Sequence, residues 1–400
     1  MDKGLEMNIL DVIGRKNRLF ENDLAICGHF LIDYLSEKRV LIIGAAGTIG
    51  HAVAKEVFRR NAKSLHLVDI SENNLVEVVR DIRSEEGYTV HDFKTFVCDA
   101  GSEDFEFLIN VHGPYDLVFN FSALKHVRSE KDIFSLTRMI NVNIVNSLKI
   151  NDLCMQMGTG KYFCVSTDKA ANPVNLMGAS KLIMEKLLLS TDNFSNITFA
   201  RFANVAFSDG SLLHGFKQRI FSNQPISAPT DTKRYFITPQ EAAILCLFSA
   251  VYGKDGEIFI PSAECGLELT PFTEIATRFI RSLGYEPHIC DTEIEAREFF
   301  NSSKHGKYWP CYFFESDTTG EKAFEEFFTA TEVLEKTKFH ELWIIKKGRE
   351  SELINHDFIN QFDTLVNSRS HHKASFIELF ESILPHFHHE DKGKNLDDRM

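Results

Sequence analysis

A hydroxyl, a carboxylate and an amine stand side by side at Thr167, Asp168 and Lys169. Together they can supply a hydrogen-bonding group, a proton donor and a proton acceptor. The apolar run 162–165 before them predicts a buried strand, and a helical pattern begins at Lys181. The three groups should therefore lie at the carboxyl end of a strand, where open α/β sheets place their ligands. Taken alone, the stretch fits an ordinary capped turn equally well.

A glycine-rich turn lies between a short apolar strand at 39–43 and a helical pattern from 51 to 60. This arrangement forms a cradle for a pyrophosphate, because glycines let the backbone approach and the helix amino terminus favours an anion. It predicts a bound dinucleotide, NAD or NADP. The predicted contacts in this turn are Gly44, Gly47, Thr48, Ile49 and Gly50.

Polar or small residues follow the next predicted strands. Asp69 ends the second strand about twenty residues past the glycines, where an acid can bind the adenosine ribose and favours NAD. Ser71 and two nearby arginines leave NADP open. Asp99 and Ala100 end the third strand, as an adenine contact or a simple turn. The fourth strand, 117–121, is followed by two small residues, Ser122 and Ala123, which let a cofactor lie across the backbone. Lys125 and His126 come next and can contact phosphates or a sugar. His126 can equally be structural.

A polar residue, Asn143, interrupts the packable face of the helix that follows. A buried asparagine needs hydrogen-bond partners, and a backbone or water partner near the active site would satisfy it.

Composition bounds the class of protein. The chain has 400 residues, 44% hydrophobic and 25% charged, which predicts a globular protein with one large domain and a smaller lobe. A formal charge of −13 argues against a nucleic-acid surface. No long apolar run or signal-like start is present, so we expect no membrane insertion and a cytoplasmic location. The eight scattered cysteines predict reduced, buried thiols.

These motifs together resemble one enzyme family. The glycine turn, Ser122 to Val127, Ser166 to Ala170, the segment 172–181 and Arg201 to Val205 are similar to the extended short-chain dehydrogenase/reductases. Within that superfamily they most resemble the nucleotide-sugar 4,6-dehydratases that act on UDP-N-acetylglucosamine in bacterial polysaccharide and glycan biosynthesis. The resemblance covers roughly residues 38 to 330. It implies a Rossmann-like, doubly wound parallel sheet in the α/β class, a smaller α/β substrate-binding lobe, a UDP-sugar substrate and a homo-oligomer.

One departure separates this branch from the rest of the superfamily. The usual Tyr-x-x-x-Lys has Met177 in the tyrosine's place, while Lys181 is retained. A thioether cannot take a proton from a hydroxyl. The resemblance implies that members with Met here rely on the Thr-Asp-Lys segment instead; the alternative is an inactive relative.

The resemblance also implies roles in an internal redox elimination. Hydride leaves sugar C4, water leaves from C5 and C6, and hydride returns to C6. Asp168 would protonate the departing C6 hydroxyl, Lys169 would remove the C5 proton, and Thr167 would hydrogen-bond the C4 oxygen. Lys181 would hold the nicotinamide ribose. Lys169 can act as a base only when neutral, which needs desolvation or a positive neighbour such as Lys181.

The remaining segments carry weaker predictions. Substrate contacts are expected from Lys125, His126, Asn204, Ser211, Lys217 and Arg234, although Lys217 and Arg234 can be solvated charges. A capped turn at 316–322 should enter a helix at 324–328. The histidines at 386–389 have no second ligand cluster, so no metal is expected. The predicted units are a helical extension (1–38), a Rossmann domain (39–205, with strand returns near 235–262), a substrate-binding lobe (206–330), a helical extension (331–390) and a disordered tail (391–400).

Three functions stay open at this point. A 4,6-dehydratase of UDP-N-acetylglucosamine accounts for all the motifs. A C5-inverting dehydratase or an epimerase on a UDP- or GDP-linked amino sugar would use the same residues. A non-catalytic regulator that binds the dinucleotide would leave the Thr167, Asp168 and Lys169 grouping unexplained.

Overall fold

The computed structural model describes residues 7–190, 196–302, 306–316, 322, 324–347, 358–368 and 372–389. The strands are β1 Arg39–Ile43, β2 Ser64–Asp69, β3 Asp92–Val97, β4 Leu117–Asn120, β5 Lys161–Val165, β6 Ile197–Ala200, β7 Asn204–Val205, β8 Ile226–Pro229, β9 Lys233–Arg234, β10 Phe236–Ile237, β11 Glu257–Pro261, β12 Thr270–Pro271, β13 Glu286–Cys290, β14 Tyr308–Phe314, β15 Leu334–Lys336 and β16 Leu342–Lys346. The helices are α1 Ile9–Ile13, α2 Glu21–Ser36, α3 Thr48–Arg59, α4 Glu72–Glu86, α5 Glu103–His112, α6 Ile133–Ile140, α7 Asn146–Gln156, α8 Leu176–Ser190, α9 Leu212–Phe221, α10 Pro239–Tyr252, α11 Phe272–Ser282, α12 Glu293–Asn301, α13 Phe358–Asn367 and α14 Lys373–Ile383.

The largest sheet has the strand order β15-β16-β11-β6-β5-β4-β1-β2-β3. The strands from β3 to β11 in that order pair in parallel. The chain order reverses between β1 and β4, and a crevice opens there at the carboxyl ends of the strands. The predicted α/β class with a Rossmann-like, doubly wound parallel sheet is confirmed.

Helices cover both faces of this sheet, which explains why its central strands are apolar along their whole length. Successive residues of a strand point to opposite faces, so Val40 and Ile42 enter one core and Leu41 and Ile43 the other. The first core contains side chains of α2, α3 and α10. The second contains side chains of α7 and α8 and, outside them, of α13 and α14. The helices thus pack on both faces of the sheet, and the carboxyl ends of its strands are where such a sheet places its ligands.

A smaller α/β lobe lies beyond β6. Its parallel sheet has the order β13-β14-β8. Phe216 of α9, Phe279 of α11 and Trp309 of β14 share a separate apolar core. Val12 and Ile13 of α1 enter the same core, so the amino-terminal helix belongs to this lobe in space. Helix α2 instead packs on the main sheet side, where Tyr252 Oη donates to Cys27 O at 3.1 Å.

The prediction of a helical extension at 331–390 is wrong for its first part. β16 pairs antiparallel with β11, and β15 pairs antiparallel with β16, so these residues extend the main sheet. Leu342 and Ile345 are fully buried there, and the β-branched run around them fits a pleated surface. Within the described residues, the first helix of the extension is Phe358–Asn367. The predicted tail, 391–400, lies outside the described residues.

The predicted helix at 324–328 is also wrong, because this segment is irregular. Its side chains point to different partners: Glu325 is buried among charged groups, and the Phe327 ring packs 5.5 Å from the Tyr235 ring. One helical face could not serve both. Most of the predicted turn at 316–322 lies outside the described residues.

Two further findings concern the predicted class of protein. Among the described residues, no helix combines the length and the apolar character needed to cross a membrane. All eight cysteines are free thiols, and all except Cys98 are buried.

Candidate functional site

The glycine turn forms a compact cradle at the carboxyl end of β1. Gly44 has φ +73°, and a Cβ there would lie 2.7 Å from the backbone nitrogen of Ser122. The backbone that follows β4 can approach so closely only because residue 44 is glycine. Gly47 occupies the N-cap of α3 and has no side chain to cap the helix, so the first backbone N–H groups, at Thr48 to Gly50, face the crevice. This arrangement fits the pyrophosphate of a dinucleotide.

Asp69 and Ser71 fix the second side of the cradle. Asp69 Oδ2 accepts from Ala46 N at 2.9 Å, and its Oδ1 accepts from Ser71 N at 2.9 Å. The Ser71 hydroxyl in turn accepts from Asn74 N at 3.4 Å and caps α4. The carboxylate therefore holds the glycine turn against the end of β2, beside the position expected for a ribose.

Replacing Gly50 by alanine is expected to weaken NAD(P) binding. A Cβ at this position would overlap Gly44 O and lie 2.9 Å from Ala45 Cα, so the turn must open. Backbone strain of this kind costs about 1–3 kcal/mol, which corresponds to roughly 5- to 150-fold in Kd. Calorimetric titration with NAD and NADP measures the change. Gly28→Ala is the control, since Gly28 has open space around it; equal affinities in both variants would contradict this role for the turn.

The cofactor contacts predicted after β3 are Asp99 and Ala100. Asp99 Oδ1 accepts from Gly101 N at 3.0 Å, and its Oδ2 accepts from Arg138 at 2.8 Å, so the turn interpretation accounts for this carboxylate. Ala100 is buried next to it.

After β4, Ser122 N and Oγ donate to Asn120 Oδ1 at 3.0 and 2.6 Å. These bonds fix the backbone around Ser122 and the adjacent Ala123 where it passes Gly44.

Asn143 lies in a π-helical segment, Asn141–Val145, between α6 and α7. Its side chain accepts from Leu124 N at 2.9 Å and donates to Leu124 O at 3.0 Å and to Ser180 Oγ at 2.9 Å. The predicted backbone partner is therefore present. Asn143 ties the loop after β4 to α8, and so positions two walls of the crevice relative to each other.

Lys125 and His126 face the smaller lobe. Loss of surrounding water lowers the pKa of Lys125, and Asp209 opposes that shift. The same loss of water lowers the pKa of His126 to about 4, with help from Lys125 and Arg128. The His126 ring is thus neutral at pH 7, so it can hydrogen-bond a sugar or phosphate but cannot add a positive charge.

A contact between Thr48 and Asp209 joins the two lobes across the crevice. Thr48 Oγ1 donates to Asp209 Oδ2 at 3.1 Å and accepts from Asp209 N at 3.1 Å. Gly210, with φ +69°, allows the same loop to pass the His126 ring, which would lie 2.7 Å from a Cβ. Sequence reasoning missed Asp209, because its partner lies 161 positions away.

The stretch with Thr167, Asp168 and Lys169 leaves β5 and turns through a short 3₁₀ helix, Asp168–Ala170. Thr167 Oγ1 donates to Asp168 Oδ1 at 2.8 Å. Lys169 Nζ lies 3.2 Å from the same oxygen and 3.3 Å from Asn204 Oδ1. Asp168 is buried, and Lys169 is partly exposed. Hydroxyl, carboxylate and amine therefore form one connected group at the mouth of the crevice.

Helix α8 packs closely on this turn. A Cβ on Gly178 would overlap Lys169 O, so only glycine lets the helix approach. Met177 is buried, and its backbone nitrogen donates to Glu130 Oε1 at 2.9 Å. Lys181 is also buried; its Nζ donates to Val165 O at 3.1 Å, and burial lowers its pKa. Lys181 thus lies beside the end of β5, and its contact with a nicotinamide ribose stays a prediction.

The surroundings of Lys169 differ from the predicted ones. Among the described residues, the charged groups within 4 Å of Lys169 Nζ are two carboxylates, Asp168 at 3.2 Å and Glu325 at 3.9 Å. The expected positive neighbour, Lys181, instead binds the β5 backbone. Sequence reasoning missed Glu325, since nothing in its local pattern distinguishes it from a surface glutamate.

Arg234 joins this group from β9, whereas the predicted substrate ligands Ser211 and Lys217 have other contacts. Arg234 is buried and donates to Lys233 O and Lys322 O at 2.9 Å each. Its Nη2 lies 4.0 Å from Glu325 Oε1. Ser211 caps α9, where its Oγ accepts from His214 N at 3.2 Å. Lys217 Nζ lies over the Phe207 ring, 4.9 Å from its centroid, so its predicted phosphate contact would require this side chain to move.

The carboxyl-terminal histidines have a structural partner. His389 Nε2 lies 2.9 Å from Glu130 Oε2, and both side chains are buried. Within the residues that the structure describes, no three His, Cys, Asp or Glu side chains are grouped to hold a metal ion. The absence of a metal stays a prediction.

Comparison with known proteins agrees with this geometry. The profile of a family described as polysaccharide biosynthesis protein matches residues 40–347. An uncharacterised membrane protein of Methanocaldococcus jannaschii is 27% identical over 78% of this chain and 87% of its own length. The capsular polysaccharide biosynthesis protein CapD of Staphylococcus aureus is 26% identical over 89% of this chain, which spans only 56% of that relative. An inverting UDP-N-acetylglucosamine 4,6-dehydratase of Campylobacter jejuni is 30% identical over 56% of this chain and 66% of its own.

Solved structures share the fold. Pen from Bacillus thuringiensis superposes with a TM-score of 0.64 at 22% identity, over 84% of this chain and 99% of that one. DesIV, a dTDP-glucose 4,6-dehydratase from Streptomyces venezuelae solved with NAD, superposes with a TM-score of 0.55 at 15% identity, over 72% of this chain and 89% of that one.

Proposed function

The chain belongs to the polysaccharide biosynthesis protein family, and from that premise we propose that it is an NAD(P)-dependent 4,6-dehydratase of UDP-N-acetylglucosamine. The observation that carries the proposal is the connected group at Thr167, Asp168 and Lys169 beside a dinucleotide cradle. A dehydratase needs an acid for the leaving hydroxyl and a base for the C5 proton, and this group provides both.

The protons balance over one turnover if Asp168 begins as a carboxylate. Asp168 takes the C4 hydroxyl proton through Thr167, whose hydroxyl already donates to Asp168 Oδ1. It then gives that proton to the C6 hydroxyl, which leaves as water. Lys169 removes the C5 proton, exchanges it with solvent, and returns a proton to C5 at the end. The bound nicotinamide supplies the redox chemistry, since it can take a hydride from C4 and return it to C6.

The surrounding side chains position the substrate. Arg234 presents a buried guanidinium that can bind two oxygens of a diphosphate. Asn204 Oδ1 accepts a hydrogen bond from Lys169 Nζ at 3.3 Å and holds the amine in place. The lowered pKa of Lys181 reflects a buried ammonium near the predicted nicotinamide ribose.

The Met177 position weighs against a simple 4-epimerase. In that reaction the group in the tyrosine's place takes the hydroxyl proton, and a buried thioether cannot do so. A C5-inverting dehydratase is a second candidate, because the relative from Campylobacter jejuni carries that description.

Mass spectrometry of the product tests the proposal. Purified full-length chain incubated with UDP-N-acetylglucosamine should convert it to a UDP-sugar lighter by one water. An epimerase would leave the mass unchanged. A non-catalytic regulator would bind NAD(P) saturably and leave UDP- and GDP-linked N-acetylhexosamines intact, which would contradict the proposal. Coupling constants of the product distinguish retention from inversion at C5.

A further inference from the structure

Glu325 is a buried carboxyl at the catalytic group with no role in the steps above. Its side chain is 3% exposed. Oε1 lies 3.9 Å from Lys169 Nζ and 4.0 Å from Arg234 Nη2, and Oε2 lies 3.6 Å from Lys322 Nζ. Within the described residues, Oε2 has no hydrogen-bond partner. A buried carboxylate oxygen left without a hydrogen bond is costly, so this position favours the neutral acid.

We propose that Glu325 is a positioning residue that takes the extra proton of Lys169 and so leaves its amine free to act as the base at sugar C5. The inference rests on the proposed function, in which Lys169 removes that proton. In the transfer, one N–H bond of the Lys169 ammonium breaks and one O–H bond forms on Glu325. The charged pair becomes a neutral pair, and no other reactant is required.

The charges around Glu325 explain when this transfer becomes favourable. In water a lysine holds its proton about six pH units above a glutamate, so an exposed pair stays charged. Burial raises the pKa of Glu325, and Asp168 adds to this, while Lys169, Arg234 and Lys322 oppose it. A substrate diphosphate would pair with Arg234 and Lys322 and weaken that opposition. Closing the site over the sugar also removes water, which favours two neutral groups over two charges.

Glu325 Oε1 lies near both Arg234 and Lys169. Substrate that pairs with Arg234 would therefore promote proton transfer from Lys169 to Glu325. This explains how Lys169 can work beside two carboxylates. It also predicts an unusual pH dependence. Because the proton stays within the pair, the fraction of neutral Lys169 should hardly change between pH 6 and 9, in contrast to a lysine that titrates with solvent.

The test compares pH profiles of wild type, Glu325→Gln, Glu325→Asp and Glu335→Gln, the last an exposed glutamate on β15 as the control. Wild type and Glu335→Gln should show a nearly flat log kcat from pH 6 to 9. Glu325→Gln should lose about 10²-fold in kcat at pH 7 and gain about tenfold per pH unit above it. Glu325→Asp should restore part of the flat profile. A Glu325→Gln profile parallel to wild type would overturn the inference.

A second readout works without turnover. Acetylation of Lys169 by acetic anhydride, followed by mass spectrometry in saturating UDP, reports its unprotonated fraction. Its rate, corrected for hydrolysis of the reagent, should stay flat with pH in wild type and rise about tenfold per unit in Glu325→Gln. Equal slopes in both proteins would overturn the inference. A wild type that makes no keto sugar would sink the proposed function, and the labelling slopes would still decide this inference.

Discussion

Replacing Lys169 by alanine is expected to lower kcat by about 10²- to 10⁴-fold, the usual contribution of a positioned acid or base. NAD(P) and UDP binding should change little, because the cradle at Gly44 to Gly50 and the guanidinium of Arg234 do not depend on a direct contact with this amine. Steady-state kinetics with UDP-N-acetylglucosamine, together with calorimetric titration of UDP, measure both effects.

Lys169→Arg separates a base from a simple cation. Arginine keeps the charge near Asp168 but cannot give up a proton in a protein. The variant should be nearly as inactive as Lys169→Ala. If it retained a tenth or more of wild-type kcat, Lys169 would act through its charge and the assigned base would be wrong.

Arg201→Met is expected to lower the free energy of unfolding by about 3–5 kcal/mol, since it leaves buried carboxylates without their partner. Arg201 is fully buried and binds Glu185 at 2.9 and 2.6 Å and Glu332 at 2.9 and 3.0 Å. Urea unfolding at pH 7 measures the loss. Arg297→Met is the control, because this exposed arginine pairs with Glu293 in one helix and should contribute only about 0.3–0.5 kcal/mol. Equal losses in the two variants would contradict the buried network.

The same network predicts a pH dependence. Burial acts to raise the pKa of Glu185, but Arg201, Lys347 and a hydrogen bond from Ser166 outweigh it and lower the pKa to about 2. The ordinary pKa of a glutamate carboxyl is about 4.3. When folding lowers this pKa, the carboxylate stabilises the fold at pH values above the ordinary pKa. That stabilisation is lost as pH falls from there through about 2. The difference in free energy of unfolding between wild type and Arg201→Met should therefore become smaller at acidic pH.

The network also connects this stability to the site. Ser166, directly before Thr167, donates to Glu185 Oε1 at 2.5 Å. Lys347 reaches the other oxygen of Glu185 at 3.2 Å and Glu332 at 3.0 Å. Lys347, which directly follows β16, thereby helps to fix the position of the turn that carries Asp168 and Lys169. This gives the antiparallel strands after residue 331 a function in positioning the candidate site.

Local signals made much of this arrangement predictable. The apolar strand before Gly44 and the helix after Gly50 define a cradle within a dozen residues, and the structure has it there. The same holds for Thr167 to Lys169, which follow the buried strand β5. Asn143 was recognisable because a polar residue in an apolar helical face must find partners.

The missed features depend on contacts between distant segments. β16 exists as a strand because β11 offers an edge for pairing, which its own apolar pattern does not reveal. Glu325 acquires its environment from Lys169 and Arg234, which are far away in the chain. His389 pairs with Glu130 across 259 positions. In each case tertiary packing, and not local propensity, decides the outcome.

An NMR time course in deuterated water tests the central claim most directly. With UDP-N-acetylglucosamine, wild type should form a 4-keto-6-deoxy sugar that carries solvent deuterium at C5, because Lys169 exchanges the C5 proton before returning it. Asp168→Asn and Lys169→Ala should form none. Saturable NAD(P) binding without any keto sugar, or a product with its original C5 proton fully retained, would contradict the account.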